Sequence, residues 1–308
     1  MTKIIAIANQ KGGVGKTTSA VNLAACLAAA ERRVLLLDLD PQGNASSGLG
    51  LERELYADKN VYHVLIDDLP LQEAIYRTEL EFLSVCPADS NLSGAEIELV
   101  GAIARELRLK NAFAELAKSE HGAFDYVLID CPPSLGLLTI NALTVSNYYM
   151  IPLQCEYYAM EGLGQFLHTV ELVKKGLNRG LEQLGILLTM FDSRNKLSRQ
   201  VLLEVNKHFN GGVFETVIPR NVKLSESPSH GKPVILYDIG SSGSQSYLAL
   251  TQEVIGRLEG ASAVASAAVQ AVAPSEETEV SDAEEVAAPT HDVAPILQEH
   301  EVNEHGIG

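Results

Sequence analysis

The chain has 308 residues, a formal net charge of −17, 46% hydrophobic residues and four cysteines. This length is enough for one large α/β domain, or two smaller ones, with a filled core. The acidity excludes a nucleic-acid-binding surface over the whole chain, so any such contact needs a local basic patch.

Short apolar runs alternate with longer amphipathic segments, which is the pattern of crossover units that build a mostly parallel sheet. The predicted strands, in chain order, are 3–8, 33–38, 82–85, 126–130, 149–153 and 186–190. The predicted helices are 17–30, a long one within 92–117, then 138–145, 161–177, 198–209 and 244–258. We therefore predict one α/β domain over residues 1–260.

The composition changes sharply after Gly260. Residues 261–308 are rich in Ala, Val, Glu, Pro and Ser, with no aromatic residue. They hold ten Asp and Glu and no Lys or Arg, so removing their −10 from the total of −17 leaves −7 for residues 1–260. We predict a disordered acidic tail that solvates the protein, because such a segment has little to bury. A docking motif at 294–297 is the weaker alternative.

Several kinds of site and segment are not predicted. The cysteines form no CxxC pair, which argues against zinc or disulfides and favours buried thiols. No apolar stretch approaches the roughly 18 residues of a membrane span. The apolar run 4–7 is too short for a signal peptide. We expect a cytosolic protein.

The segment NQKGGVGKTT, residues 9–18, lies between a predicted strand and a predicted helix, as a phosphate-binding loop does. Gly12, Gly13 and Gly15 allow the backbone to curl until several N–H groups point at one centre. Lys16 is then placed to reach the β- and γ-phosphates of a nucleotide, and the Thr17 hydroxyl to hold Mg²⁺. The remaining predicted contacts in this loop are Val14 and Thr18.

The usual loop pattern, GxxxxGK[ST], has glycine at position 10, where this chain has Gln10. Lys11 is an additional cation on the incoming side of the loop. Three segments, KGGVGKTT (11–18), LLLDLDPQGN (35–44) and DYVLIDCPPSLG (125–136), together resemble the deviant Walker A ATPases. Within that group the chain is similar to ParA and Soj chromosome-partitioning proteins over nearly all of residues 1–260. The resemblance implies a P-loop NTPase fold.

The resemblance also implies a mechanism. In this family ATP and Mg²⁺ hold two subunits face to face, and the signature lysine crosses to the partner's nucleotide; that role falls to Lys11. Lys11, Lys16 and Asp40 would be the catalytic residues of an ATP hydrolase that is weak alone. The ATP-bound homodimer would bind double-stranded DNA non-specifically on the nucleoid. A ParB-like centromere-binding protein would stimulate hydrolysis and release.

Carboxylates end two of the predicted strands. Asp38 and Asp40 are two apart, hence on the same side of an extended chain unless the strand has already turned. By resemblance Asp40 orients or activates the attacking water, and Asp38 lies near the metal or the switch region. The alternative is that the pair caps the next turn. Asp130 ends an apolar run typical of a second magnesium-binding strand.

Two late segments, 189–194 and 217–233, resemble the base-contacting segments of the family. The implied nucleotide contacts are Met190, Pro219, Arg220 and Asn221. The residues themselves do not separate ATP from GTP, whereas the resemblance favours ATP.

Cations are concentrated in the same late region, at Arg194, Lys196, Arg199, Lys207, Arg220, Lys223 and Lys232. Such a set attracts phosphate backbones without reading bases. We take Arg194, Arg199, Arg220 and Lys223 as the candidate DNA contacts, with Arg194 and Lys223 at positions that match the family. A solvated surface without ligand is the alternative.

Two other functions stay open. A MinD-like membrane-surface ATPase would need a basic amphipathic C-terminal helix, and the segment HEVNEHGIG is acidic without an apolar face. A ParA-like protein that positions another cargo, or that regulates replication or transcription, fits the same residues.

Overall fold

The computed structural model describes residues 2–119, 123–156, 159–209 and 211–260. Within these ranges seven strands form one sheet: β1 (Lys3–Ile7), β2 (Val34–Asp38), β3 (Tyr76–Arg77), β4 (Leu83–Cys86), β5 (Tyr126–Asp130), β6 (Tyr148–Gln154) and β7 (Glu182–Thr189). The strand order is β3-β4-β2-β5-β1-β6-β7, and the pairing is parallel except between β3 and β4. The predicted α/β fold of the P-loop NTPase type is confirmed.

The central strands are buried on both sides because helices cover both faces of the sheet. β2 and β5 are buried at every residue, as expected for apolar strands in a parallel sheet. Pairing aligns Ile7 with Asp130 and Asp38 with Asp130. The carboxyl ends of β1, β2 and β5 therefore meet at one edge, where open α/β sheets bind their ligands.

Alternate residues of the strands enter two separate hydrophobic clusters, one on each face. The described ranges contain α1 (Lys16–Ala29), α2 (Asn44–Ser47), α3 (Val61–Ile66), α4 (Leu92–Glu98), α5 (Arg108–Leu116), α6 (Leu137–Val145), α7 (Ala159–Gly176), α8 (Lys196–His208), α9 (Val222–Glu226), α10 (Val234–Tyr237) and α11 (Ser242–Glu259). α1, α10 and α11 pack on one face, and α3 to α8 on the other.

The prediction of one long helix within 92–117 is wrong. The segment is divided into α4, two short 3₁₀ turns and α5. Ala104 has a positive φ of 52°, which no regular helix allows. The Asn141 side chain accepts from Leu109 N (3.1 Å) and donates to Arg105 O (2.8 Å), so it satisfies backbone groups that the break leaves free.

Three other findings complete the fold. The four cysteines are free and buried, as predicted. Among the helices that the structure describes, none is long and apolar enough to cross a membrane. The predicted tail, 261–308, and the possible docking motif in it lie outside the described residues, so the predicted domain boundary stays a prediction.

Candidate functional site: a phosphate-binding loop with two acidic strand ends

The loop between β1 and α1 has the backbone shape that a phosphate requires. Gly13 and Gly15 adopt left-handed φ angles of 73° and 87°, which are strained for residues with a Cβ. Val14 O accepts a hydrogen bond from the Thr189 hydroxyl (2.8 Å), which ties the loop to the end of β7. α1 begins at Lys16 with no side-chain cap. The free N–H groups of its first turn thus face the loop, where an anion binds favourably.

Lys16 is held inside this loop. Its side chain is buried, and Nζ donates to Lys11 O at 2.9 Å. Burial lowers the pKa of Lys16, while the nearby Asp130, Cys131 and Asp40 raise it. A buried ammonium with one neutral acceptor gains strongly from an anionic ligand.

Asp130 is a buried carboxylate to which none of the described residues donates a hydrogen bond. It lies at the end of β5, fully buried, and neither Oδ1 nor Oδ2 is bonded to any group in the described part of the chain. Burial raises the pKa of Asp130 well above its usual range, and the neighbouring Asp38 raises it further, whereas the nearby Thr17 hydroxyl lowers it. A cation at this strand end would satisfy both oxygens.

These residues fit Mg²⁺ bound together with a nucleotide. In the described ranges no three His, Cys, Asp or Glu side chains are arranged to hold a metal. Mg²⁺ does not need such a cage, because it usually keeps several waters and binds one or two carboxylates plus phosphate oxygens. The Thr17 hydroxyl and the unpartnered Asp130 supply that kind of set.

Asp38 is engaged in holding the segment that follows β2. Its Oδ2 accepts from Ser46 N (2.9 Å) and Ser46 Oγ (2.7 Å), and its Oδ1 accepts from Asp40 N (3.2 Å). Burial raises the pKa of Asp38 to about 6, and the bonds from Ser46 oppose this shift. These bonds fit the alternative that the carboxylates cap the turn after β2, and a role of Asp38 near the metal or the switch region stays a prediction. The sequence motif did not predict the contact between Ser46 and Asp38.

Asp40 lies just beyond the strand, where the chain has already turned. Its Oδ1 accepts from Gln42 N at 3.0 Å. The side chain lines a cavity of about 290 Å³ together with Glu96, Pro133 and Ser134. The two carboxylates of the motif therefore face different surroundings, since Asp38 holds α2 and Asp40 borders an open space.

The predicted base-contacting residues surround one cavity beside the loop. Its volume is about 120 Å³, and its lining includes Gly15, Thr18, Thr189, Met190, Ile218, Pro219, Arg220, Asn221, Leu224, Ser225 and Tyr247. Phe191 pairs with Pro219, which brings the two late segments side by side. Tyr247 was not predicted here: it lies within the helical pattern of α11, and its hydroxyl contacts Ser19 Oγ at 3.1 Å.

Comparison with known proteins agrees with this geometry. Residues 2–183 match the family model described as AAA domain. The chain is 57% identical over 255 residues to the chromosome partitioning protein ParA of Myxococcus xanthus strain DK1622, covering 83% of this chain and 88% of that protein. It is 58% identical over 254 residues to the sporulation initiation inhibitor protein Soj of Bacillus subtilis strain 168, covering 82% and 98%.

The chain belongs to the ParA and Soj family of chromosome-partitioning ATPases. A solved structure with the same fold is cobyrinic acid a,c-diamide synthase from Mycobacterium smegmatis, with bound ATP analog and magnesium. That protein is 39% identical, with a TM-score of 0.72, and the match covers 84% of this chain and 96% of that one. The name of that protein describes a synthase and not a partitioning protein.

The signature lysine of this ParA-type chain is paired within its own subunit. Lys11 Nζ forms an ion pair with the Glu156 carboxylate, and both side chains are roughly half exposed. The Lys11 backbone carbonyl accepts the bond from Lys16 Nζ, whereas the Lys11 ammonium is directed to Glu156. Glu156 was not among the predicted residues, because 145 positions separate it from Lys11.

The four candidate DNA contacts of this ParA-type chain differ in how far their charge is already neutralised. Arg194 donates to both carboxylate oxygens of Asp192, each at 3.0 Å, and Lys223 pairs with Glu226 at 3.0 Å. Arg199 and Arg220 are exposed and have no ion pair with another described residue. Arg199 and Arg220 are therefore the more available cations.

Proposed function

We propose that this protein is an ATP-hydrolysing, dimerising switch that partitions a chromosome or plasmid. Its membership of the ParA and Soj family supports this function. The observation that carries it is the presence of two buried groups beside a left-handed glycine loop: Lys16, and Asp130 with neither oxygen bonded to a described residue. This arrangement is costly without a ligand and suits a metal-bound nucleotide.

The residues of the loop would bind and orient the triphosphate. The N–H groups of the first turn of α1 hold phosphate oxygens, and Lys16 exchanges its bond to Lys11 O for a bond to phosphate. Thr17 and Asp130 would hold Mg²⁺ directly or through water, and the bound ion supplies positive charge against the β- and γ-phosphates.

Asp40 is the proposed group that orients the attacking water. It borders the cavity of about 290 Å³ at the edge where β1, β2 and β5 end. Its carboxylate can accept a hydrogen bond from a water in that space, which aligns the water for attack. The cavity formed by Met190, Pro219 and Tyr247 would hold the base, with ATP as the proposed nucleotide.

Assembly and DNA binding form the second half of the proposal. Lys11 would leave its own subunit and neutralise the partner's triphosphate, as an arginine finger does. Two copies of the basic region would then lie on one DNA duplex, so that weak phosphate contacts add. A ParB-like centromere-binding protein would trigger hydrolysis and release on the nucleoid.

The proposal is tested by ATP turnover alone, with DNA, and with DNA plus the candidate ParB-like partner. Light scattering in ATP and in ADP reports the assembly state. We expect a dimer in ATP, a monomer in ADP, and turnover that rises when both DNA and partner are present. A monomer in both nucleotides, with turnover insensitive to the partner, would contradict this function.

The Lys11→Ala variant should keep most of the nucleotide binding but lose the ATP-dependent dimer and at least about tenfold of the stimulated turnover, because trans-acting cations contribute about 10³ to 10⁵ in rate. Lys118→Ala is the matched control. Lys118 is an exposed lysine paired with Glu115, far along the chain from the loop.

Regulation of another process by the same switch is the second candidate. The observation that favours it is the description of the Bacillus subtilis relative as a sporulation initiation inhibitor. ATP-dependent binding to bulk DNA with stimulation by a ParB-like protein would favour partitioning, whereas stimulation by a replication or transcription factor would favour regulation.

A further inference from the structure

The incoming side of the phosphate loop is attached to the segment that leads into α7. Glu156 lies between β6 and α7, and its carboxylate is the partner of Lys11 Nζ. A second side-chain contact joins the loop to α7, because Gln10 Nε2 donates to Gln165 Oε1 at 2.5 Å. In the single subunit, two adjacent side chains of the loop are thus directed toward the same region.

The backbone of Lys11 is fixed from both sides. Its N–H donates to Asn9 Oδ1 (3.0 Å), and Asn9 in turn donates to Pro152 O (2.8 Å). Its carbonyl accepts from Lys16 Nζ (2.9 Å). The backbone is therefore held in place, and the side chain is the part of Lys11 that can change partner without rebuilding the loop.

We propose that Glu156 is a positioning residue that retains Lys11 within its own subunit and competes with the partner's triphosphate for it. This inference rests on the proposed exchange of Lys11 between subunits. In the single subunit Glu156 satisfies the ammonium, and in the ATP-bound dimer the ammonium leaves Glu156 for a group of higher negative charge. Glu156 thereby raises the nucleotide and protein concentrations needed for assembly.

The Lys11–Glu156 pair is weak enough for a triphosphate to replace Glu156 as the partner of Lys11. Lys11 and Glu156 have 42% and 43% of their side chains exposed, so the pair is weakened by water. Exposed pairs of this kind change an equilibrium by about 1.4-fold to fivefold. A symmetric dimer opens two such pairs, so the expected effect on the dimer dissociation constant is the square, about twofold to thirtyfold.

The test compares Glu156→Gln with the unchanged protein in a slowly hydrolysed ATP analogue with Mg²⁺, using sedimentation velocity at several ionic strengths. We expect the dimer dissociation constant to fall by about twofold to thirtyfold at low salt. The difference should shrink toward 1 at high salt, because exposed charges are screened. A dissociation constant equal to or higher than that of the unchanged protein at low salt would overturn the inference.

Glu171→Gln is the matched control. It makes the same change of charge on α7, at an exposed residue with no ion pair to another described side chain. We expect its dimer dissociation constant to equal that of the unchanged protein. If both variants tightened the dimer equally, general charge repulsion rather than the pair with Lys11 would be responsible, and the inference would be wrong.

A second measurement is independent of dimerisation. Acylation of the Lys11 amine in the dilute, nucleotide-free protein, followed by mass spectrometry, should increase several-fold in Glu156→Gln and remain constant in Glu171→Gln. If acylation of Lys11 does not increase in Glu156→Gln, the proposal that Glu156 retains Lys11 is wrong. If the unchanged protein forms no dimer in the analogue, the proposed function fails, while this labelling still decides whether Glu156 retains Lys11.

Discussion

At the scale of single residues, the site is dominated by charges that lack partners. Among the described residues, no group bonds to either oxygen of the buried Asp130, which lies next to the buried Asp38. Lys16 is buried with a carbonyl as its acceptor. Removing water from such groups costs several kcal/mol unless an opposite charge is supplied. The ligand-free subunit is therefore destabilised at the place where a metal-bound triphosphate would bind.

Replacing Asp130 by Asn tests whether its buried carboxylate destabilises the nucleotide-free protein and binds Mg²⁺ with the nucleotide. We expect Asp130→Asn to stabilise the nucleotide-free protein by about 1 to 3 kcal/mol, because it removes a buried charge whose pKa is raised by burial. We also expect it to lose most of the additional stability that Mg²⁺ with ATP confers. Thermal unfolding with and without Mg²⁺ and ATP measures both effects.

The control lies in the same strand region. Asp125→Asn changes a carboxylate just before β5, where Asp125 is paired with Arg33. It should leave the stabilisation by Mg²⁺ and ATP unchanged. An Asp130→Asn variant that is less stable without nucleotide and still gains fully from Mg²⁺ would contradict the proposed role.

At the scale of elements, contacts at the amino ends of the central strands attach α11 to β1, to β5 and to the connection before β2. Glu259, the final residue of α11, accepts hydrogen bonds from Lys3 (3.1 Å), Arg32 (2.9 Å) and Tyr126 (2.5 Å). Two strands, β1 and β5, and the connection between α1 and β2 therefore converge on one carboxylate. This cluster lies at the amino ends of β1 and β5, opposite the phosphate loop.

Glu259 makes the stability of this helix depend on pH. Burial by itself raises the pKa of Glu259, but hydrogen bonds from Arg32, Tyr126 and Lys3 outweigh it and lower the pKa to about 2. Because the folded-state pKa is lower than the usual 4.5, the carboxylate stabilises the protein above about pH 4.5, and this contribution is lost as the pH falls toward 2.

We expect Glu259→Gln to reduce the free energy of unfolding by about 1 to 2 kcal/mol at pH 7, allowing for solvent screening at a surface site. The difference should decrease as the pH is lowered from 4.5 toward 2. Urea unfolding across this range measures it. Glu52→Gln, at an exposed residue outside the described ion pairs, is the control. A constant difference at every pH would show that lost packing, not charge, is the cause.

At the scale of the whole molecule, an acidic protein is proposed to bind DNA through a small basic region. Residues 1–260 carry a net charge of −7, and two of the four candidate cations already have acidic partners. Binding to DNA therefore depends on the free cations and on having two copies of the region in one dimer.

We expect the logarithm of the DNA association constant of the ATP-bound protein to fall linearly with the logarithm of salt concentration. Each neutralised phosphate contributes about −0.9 to the slope. Arg199→Ala should reduce the steepness by about 0.9 for each subunit in contact with DNA. Fluorescence anisotropy with unrelated duplexes measures the slope, which should be the same for all sequences.

Arg179→Ala is the matched control for this measurement. Arg179 is exposed but precedes β7, at the opposite edge of the sheet from Arg199, which follows β7. Its slope should equal that of the unchanged protein. A DNA association constant that does not change with salt, or an equal reduction of the slope in both variants, would exclude the proposed surface.

Much of the phosphate site could be predicted from short sequence segments, for local physical reasons. The loop needs glycine at left-handed φ angles, and Gly13 and Gly15 have them. The carboxyl ends of parallel strands meet at one edge, which brings Asp38 and Asp130 into register. These features depend on backbone conformation and on the pattern of apolar residues, both of which are visible within about ten residues.

The tertiary structure alone decided which groups these residues contact. Glu156 meets Lys11 across 145 positions, and Tyr247 meets Ser19 across 228. Ser46 reaches Asp38 because a short helix follows β2, and the break within 92–117 is supported by Asn141 from another helix. No periodicity encodes such pairs, because they are set by how separate elements pack. The sequence by itself thus determined the fold class and the phosphate loop, whereas long-range packing decided the partner of each charge.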